Sequence, residues 1–288
     1  MKQIKAILPA PTHGNWVGDG FPMRRVFGER GFTHEVSPFL MLAYGGPMVF
    51  PPTGQRRGVG PHPHRGFETV TMSFQGEIEH VDSAGNRDVI APGDVQWMTA
   101  ASGLIHEEMH STAFARQGGT LEMIQLWVNL PGKFKMTAPR YQAIVSKNIP
   151  IVELPQDSGA VRVVAGDFDG IRGAAATYSP INLWDIRLRA GKRTELLVPE
   201  GDTTIVFVRQ GQIRAGENTL GEADGALFAA GGTRIVLEAS TDADILLLSG
   251  EPIDEPIVAH GPFVMNAEHE IHQAMTDYHS GRMGRMTG

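Results

Sequence analysis

Cysteine is absent from the 288 residues, so disulfides and thiolate metal sites are both excluded. Any bound metal must be held by nitrogen and oxygen donors. Long apolar runs are missing as well. No stretch approaches the roughly 20 apolar residues that a membrane-spanning helix needs. The start, Met1-Lys2-Gln3-Ile4-Lys5, leads into Ala6-Ile7-Leu8-Pro9 with no extended apolar core behind it, so no signal peptide is expected. Positive charge is the minority: 25 Lys and Arg against 32 Asp and Glu leave a formal net charge of -7. A general polyanion-binding surface, and direct nucleic-acid binding with it, is therefore not expected. Histidine skips a whole region, since the next one after His110 is His260. These absences predict a soluble, cytoplasmic protein whose imidazole chemistry belongs to the first half, supplemented at most by the C-terminal tail.

Punctuation, in contrast, is plentiful. The counts of Gly (35) and Pro (19) exceed ordinary usage and favour many short strands joined by turns. Glu68-Thr69-Val70-Thr71-Met72-Ser73-Phe74 is β-branched and aromatic in near alternation and breaks at Gln75-Gly76. Glu77–Val81 continues as a strand, Asp82–Asn86 is a turn cluster, and Pro92-Gly93-Asp94 separates Val89-Ile90 from the strand Val95–Met98. Leu121–Val128 is a longer strand closed by Pro131-Gly132. Spans this short argue for an all-β sandwich or barrel. The plan then recurs: Thr203–Ile213 resembles Thr69–Ile78, each a β-rich run that reaches a Gly and restarts, which two β-barrels in tandem explain. The expected division is a first barrel over 1–136, a second over 137–265, and a C-terminal helix and tail over 266–288. The linker falls at Lys135–Pro139. Asn266 is the expected cap of a helix whose apolar face carries Ala267, Ile271, Ala274, Met275 and Tyr278.

The histidines carry the chemistry. His62-Pro63-His64 places two imidazoles at i and i+2, the same side of an extended segment, and the intervening Pro favours that conformation. His106-Glu107-Glu108 repeats the geometry with an imidazole and a carboxylate. A lone His-x-His is more often a loop or surface feature, and His-x-Glu alone says less. Both within one β-domain favour a metal site: on neighbouring strands, three nitrogens and one oxygen would converge. Such donors suit Fe, Mn, Co, Ni or Cu and leave Zn open.

The run Gly58-Val59-Gly60-Pro61-His62-Pro63-His64-Arg65-Gly66-Phe67-Glu68-Thr69-Val70-Thr71 resembles the signature of the pirin family. So do Pro92–Ala100, Leu104-Ile105-His106-Glu107-Glu108, Ser37–Leu42, Gln125–Pro131 and Gly261–Asn266, which together cover most of the chain. The resemblance implies two tandem cupin (jelly-roll) barrels, with iron, as Fe2+, only in the N-terminal one. Carried over residue by residue, the ligands fall on His62, His64, His106 and Glu108. It also implies a quercetin 2,3-dioxygenase-like oxidoreductase acting on a flavonol or similar small aromatic substrate with dioxygen. Glu108 would then also act as the catalytic base. The family equally admits a non-enzymatic iron-binding redox sensor acting through a regulatory protein partner. Three positions depart from the family pattern. Ala101 stands where Gly is expected, and Met48-Val49-Phe50 occupies a loop usually more polar. Glu68 matches a ligand of other cupins but is expected here either to support the ligands from outside or to be structural.

Other residues admit two readings. Phe67, Met72, Phe74, Trp97 and Met98 either line an apolar pocket or fill the barrel core. His80 and His110 are expected to be surface or hydrogen-bonding residues, and Gln125 to reach the groups around the metal. Arg65 and Arg87 would be ion pairs at the mouth or solvated charges, and His269, His272 and His279 decoration on the helix.

Overall fold

The computed structural model describes residues 1–28 and 32–286. The expected strands are present, four of them slightly longer and one shifted by a residue: Phe67–Gln75, Arg87–Ile90, Val95–Thr99 and Gly119–Asn129 are extended, and Ile78–Asp82 replaces Glu77–Val81. Both histidine motifs lie in strands, Gly58–His64 and Leu104–His110. No helix is long and apolar enough to cross a membrane among the described residues.

Two compact units divide the chain, and they interleave along it where contiguous blocks were expected. One consists of His13–Thr33, Phe39–Ser146 and Ile253–Gly288; the other of Met1–Thr12, His34–Pro38 and Lys147–Pro252. Sheet edges explain the difference, because an unpaired edge needs a strand to cover it. Arg140–Ile144 pairs with Val95–Thr99, so the expected linker at Lys135–Pro139 lies inside the first unit. Ile4–Leu8 pairs with Gly225–Phe228 and belongs to the second unit. The hairpin Val258–His260 and Phe263–Met265 joins the first unit, where Val264 N–H donates to Arg65 O.

Each unit holds a seven-stranded and a four-stranded antiparallel sheet, the arrangement of a jelly-roll sandwich. In the first unit the large sheet runs Arg140–Ile144, Val95–Thr99, Phe67–Gln75, Gly119–Asn129, Phe39–Phe50, Phe21–Phe27, Asn15–Val17. The small sheet runs Gly58–His64, Leu104–His110, Ile78–Asp82, Arg87–Ile90. The second unit repeats this order strand for strand, with Thr203–Gln210 in the place of Phe67–Gln75.

Register makes the repeat informative. His106 lies opposite His62 and Glu108 opposite His80; in the second unit Ile235 lies opposite Leu196 and Leu237 opposite Ala215. Thr71 lies between Gln96 and Gln125, and its counterpart Val206 between Ala226 and Leu247. The counterparts in the second unit all belong to one buried apolar cluster. One barrel is polar at its centre, and the other fills the same positions with hydrocarbon.

The C-terminal helix spans Glu268–His279. Its cap differs from expectation. The Glu270 carboxylate accepts from the N–H groups of Asn266 and Ala267 (3.0 and 2.9 Å). The Asn266 side chain instead donates to Glu255 and to Pro256 O. A carboxylate at the third helical position satisfies two otherwise unpaired donors, which one neutral cap could not do alone.

Candidate metal centre

Two antiparallel strands bring the imidazoles together. Gly58–His64 pairs with Leu104–His110 so that His106 faces His62 and Leu104 faces His64. The register shifts between His106 and Glu108, a bulge of the kind that re-aims side chains beside a site. Donor atoms of His62, His64 and His106 all lie within 4.8 Å of one another. His64 and His106 are 4% and 0% exposed, while His62 is only half-buried and marks the solvent side. Gly66 follows the ligand strand at φ +88°, where a Cβ would stand 1.9 Å from Val264 O, so only glycine fits that turn.

Each ring has an outer partner on Nδ1. His62 Nδ1 lies 2.9 Å from Gly60 O, His64 Nδ1 3.4 Å from Pro262 O, and His106 Nδ1 3.4 Å from His80 Nδ1. Such partners select the tautomer that leaves Nε2 as a lone pair. His106 Nε2 is buried and has no hydrogen-bond partner. A buried polar atom without a partner is costly unless a ligand completes it. Burial, reinforced by the neighbouring imidazoles, holds His64 and His106 well below the ordinary histidine pKa. They are neutral, the form that binds a cation, and an all-nitrogen trio without thiolate suits a first-row transition metal.

The Glu108 carboxylate is not a member of this trio. It is buried on the same strand face as His106, accepting from Thr71 Oγ1 (3.1 Å) and Gln125 Nε2 (3.2 Å). Gln125 thus takes the supporting position expected of it. Thr71 also settles the orientation of its strand: odd-numbered side chains face Glu108, and Glu68 points to the opposite face. There Glu68 accepts from Thr99 Oγ1 (2.6 Å), the structural one of the two roles expected of it. The same alternation divides the pocket candidates. Phe67 lies beside His64 (ring centroids 5.1 Å apart), and Met98 shares a face with Gln96, whereas Met72, Phe74 and Trp97 point away.

Folding decides between the readings left open for the other histidines and arginines. His80 is fully buried between Asp82 and Gln96 and stacks on Tyr141 (4.8 Å). His110 is buried with Nε2 at 2.9 Å from Gly20 O. Arg65 is buried against Asp277 at 2.8 Å, while Arg87 forms an exposed pair with Glu79. Ala101 takes φ +43°, so the expected glycine position does demand a left-handed backbone. Trp127, 5.3 Å from His64 and 4.4 Å from Phe67 between ring centroids, reads in the sequence only as part of a strand, with no role at the site. Its place inside a long strand carried no local signal.

The comparisons with known proteins agree with this architecture. The family model described as Pirin matches residues 20–128, and that described as Pirin C-terminal cupin domain matches residues 183–284. A Pseudomonas aeruginosa protein provisionally named quercetin 2,3-dioxygenase is 53% identical, over 99% of each chain. A pirin-like protein of Caulobacter vibrioides is 38% identical over 97% of this chain and 98% of its own. Among solved structures, a quercetin 2,3-dioxygenase from Acinetobacter baumannii superposes with a TM-score of 0.96 at 45% identity, covering 100% of both chains.

Proposed function

The chain belongs to the pirin family, and on that footing we propose that it is an iron-dependent dioxygenase that opens the ring of quercetin or a related flavonol with molecular oxygen. The observation that carries this reading is the convergence of His62, His64 and His106 around a buried, unpartnered Nε2. These three imidazoles would hold the metal, with Glu108 as fourth donor. When bound, the metal supplies Lewis acidity toward the adjacent hydroxyl and carbonyl oxygens of a flavonol, and a redox centre.

The remaining work falls to the protein. Glu108 accepts the flavonol hydroxyl proton on its carboxylate, a general-base role for which Thr71 and Gln125 hold it in place. His62, half-buried, faces the approach from solvent. Trp127, half-buried beside His64 and backed by the fully buried Phe67, offers aromatic surface that excludes water and favours a flat ring. Substrate orientation, more than ground-state affinity, is what such a rigid β-framework contributes.

Elemental analysis of the purified protein tests the reading, alongside His64→Ala and Glu108→Ala. Near-stoichiometric iron in the wild type, lost in both variants, is expected, followed by oxygen-dependent loss of flavonol absorbance by the loaded wild type. A wild type that neither carries nor accepts a transition metal overturns it, as does a loaded protein that leaves flavonols intact. Iron lost in His64→Ala but kept in Glu108→Ala would remove Glu108 from the ligand set.

A further inference from the structure

We infer that Asp82 and His80 are positioning residues that lock His106 in the tautomer able to bind a cation, through a buried relay running Asp82–His80–His106. The inference deepens the metal-centre reading and rests on it for its functional meaning. Its geometry stands alone. Asp82 and His80 are 1% and 0% exposed, so bulk water does not satisfy their polar atoms. His80 Nε2 lies 3.3 Å from Asp82 Oδ2. A carboxylate only accepts, so that nitrogen carries the proton. Two groups face His80 Nδ1, Gln96 Nε2 at 3.0 Å and His106 Nδ1 at 3.4 Å; an amide nitrogen only donates, so His80 Nδ1 is a lone pair. Two lone pairs turned toward each other in a buried site repel, so His106 Nδ1 must carry its proton. The lone pair of His106 is therefore on Nε2, the buried atom that has no partner within the protein. Proton placement at the candidate ligand is thus decided two groups away.

Both supports are themselves held. The Asp82 carboxylate also accepts from the N–H groups of Ala84 and Asn86 and from Asn86 Nδ2, at 2.8 to 3.0 Å, which fixes its orientation. Tyr141 stacks on His80 with rings 21° from parallel, and its hydroxyl donates to Asp88 at 3.3 Å. In the second barrel the relay is absent from the corresponding place: Ala215 stands for His80 and Ile235 for His106. His80 and the ligand His106 are replaced together by hydrocarbon, consistent with a support that serves only a metal-binding ring.

The test is tautomer-resolved 15N spectroscopy of the imidazoles in metal-free, histidine-labelled protein. In the wild type, His106 is expected to carry its proton on Nδ1 and His80 on Nε2, the first being the less common form for a free imidazole. Asp82→Asn can keep the turn contacts through its amide oxygen but presents an N–H donor to His80. It should therefore reverse His80 and move the His106 proton to Nε2. His80→Phe should release His106 to Nε2–H, and His80→Asn, whose amide oxygen can take over acceptance from Nδ1–H, should restore the wild-type form. In chelator competition, Asp82→Asn and His80→Phe should each bind metal roughly 10- to 100-fold more weakly than wild type. The double variant should lose no more than His80→Phe alone. Wild-type His106 protonated on Nε2, or a His106 tautomer unmoved by Asp82→Asn, overturns the inference whatever metal is bound. The expected tautomers in a protein that takes up no metal would sink the dioxygenase reading and leave the relay standing.

Discussion

Glu68 is buried on the face of its strand away from the candidate metal ligands, and burial pushes its pKa up to about 7 despite the hydrogen bond from Thr99. An acid with a folded pKa above its unfolded value holds its proton better when folded, so stability should fall as pH rises from about 4.5 to about 7. Glu68→Gln removes this component. The variant should exceed wild type by up to about 3 kcal/mol above pH 7 and lose that advantage near pH 4.5, read from urea midpoints at several pH values. Lys135 presents the opposite sign. It is 1% exposed and donates to Gly66 O, Asn129 Oδ1 and Val264 O at 2.6 to 3.0 Å, yet burial lowers its pKa to about 7. Stability should therefore rise between about pH 7 and the ordinary 10.5 as the buried ammonium is relieved of its charge. Lys135→Met strands three buried acceptors and should cost about 3 kcal/mol at pH 6, measured by urea unfolding. The supporting place of Glu68 was expected from the sequence, whereas that of Lys135 was not legible in it. Lys135 reads as linker in the sequence because only the return of Val264 from the far end of the chain makes it interior.

At the scale of elements, the C-terminal helix Glu268–His279 is a structural part of the unit that contains the histidine cluster. Arg65, next to the candidate ligand His64, is buried against Asp277 and also donates to Ser102 O at 2.7 Å. Beyond the helix, Met283 O accepts from Ser83 Oγ, whose oxygen in turn accepts from Ile105 N–H. The tail therefore braces the turn after Asp82 and the strand that carries His106. Breaking a buried ion pair costs more than the pair contributes, because the partner charge is left stranded. Asp277→Asn is expected to lower stability by about 3 kcal/mol, seen as a lower denaturant midpoint. An unchanged midpoint would mean that Arg65 finds other compensation. The helix itself was legible from its apolar spacing, and its cap was not. Choosing Glu270 over Asn266 depends on Glu255 and Pro256 drawing the amide away.

For the whole molecule, the two barrels share an order of strands and differ in what fills them. Hydrophobic burial accounts for the second barrel without help from a ligand, since Leu196, Ile235 and Leu237 occupy its centre. The first barrel places neutral imidazoles and a carboxylate there, so metal should stabilise it selectively. Iron loading is expected to slow amide hydrogen exchange in Gly58–His64 and Leu104–His110 and to leave Arg193–Leu197 and Arg234–Ala239 unchanged. Equal protection in both barrels, or in neither, would contradict a single metal centre in the first unit.

The sequence by itself determined what depends on neighbours along the chain. The i, i+2 spacing of His62 with His64 and of His106 with Glu108 settles which side chains share a strand face, because successive residues of a strand point to opposite sides. The histidine-free region between His110 and His260 likewise directed the expectation of imidazole chemistry to the first half of the chain. Tertiary structure alone decided what depends on partners brought from afar. Register across paired strands set His106 opposite His62 and Glu108 opposite His80. Burial beneath Tyr141 decided between the two readings of His80, taking it from solvent and leaving it a hydrogen-bonding group in the middle of a relay. The strands Ile4–Leu8 and Arg140–Ile144 were allotted to different sheets because each open edge had to be paired, a demand that no local run of residues can express.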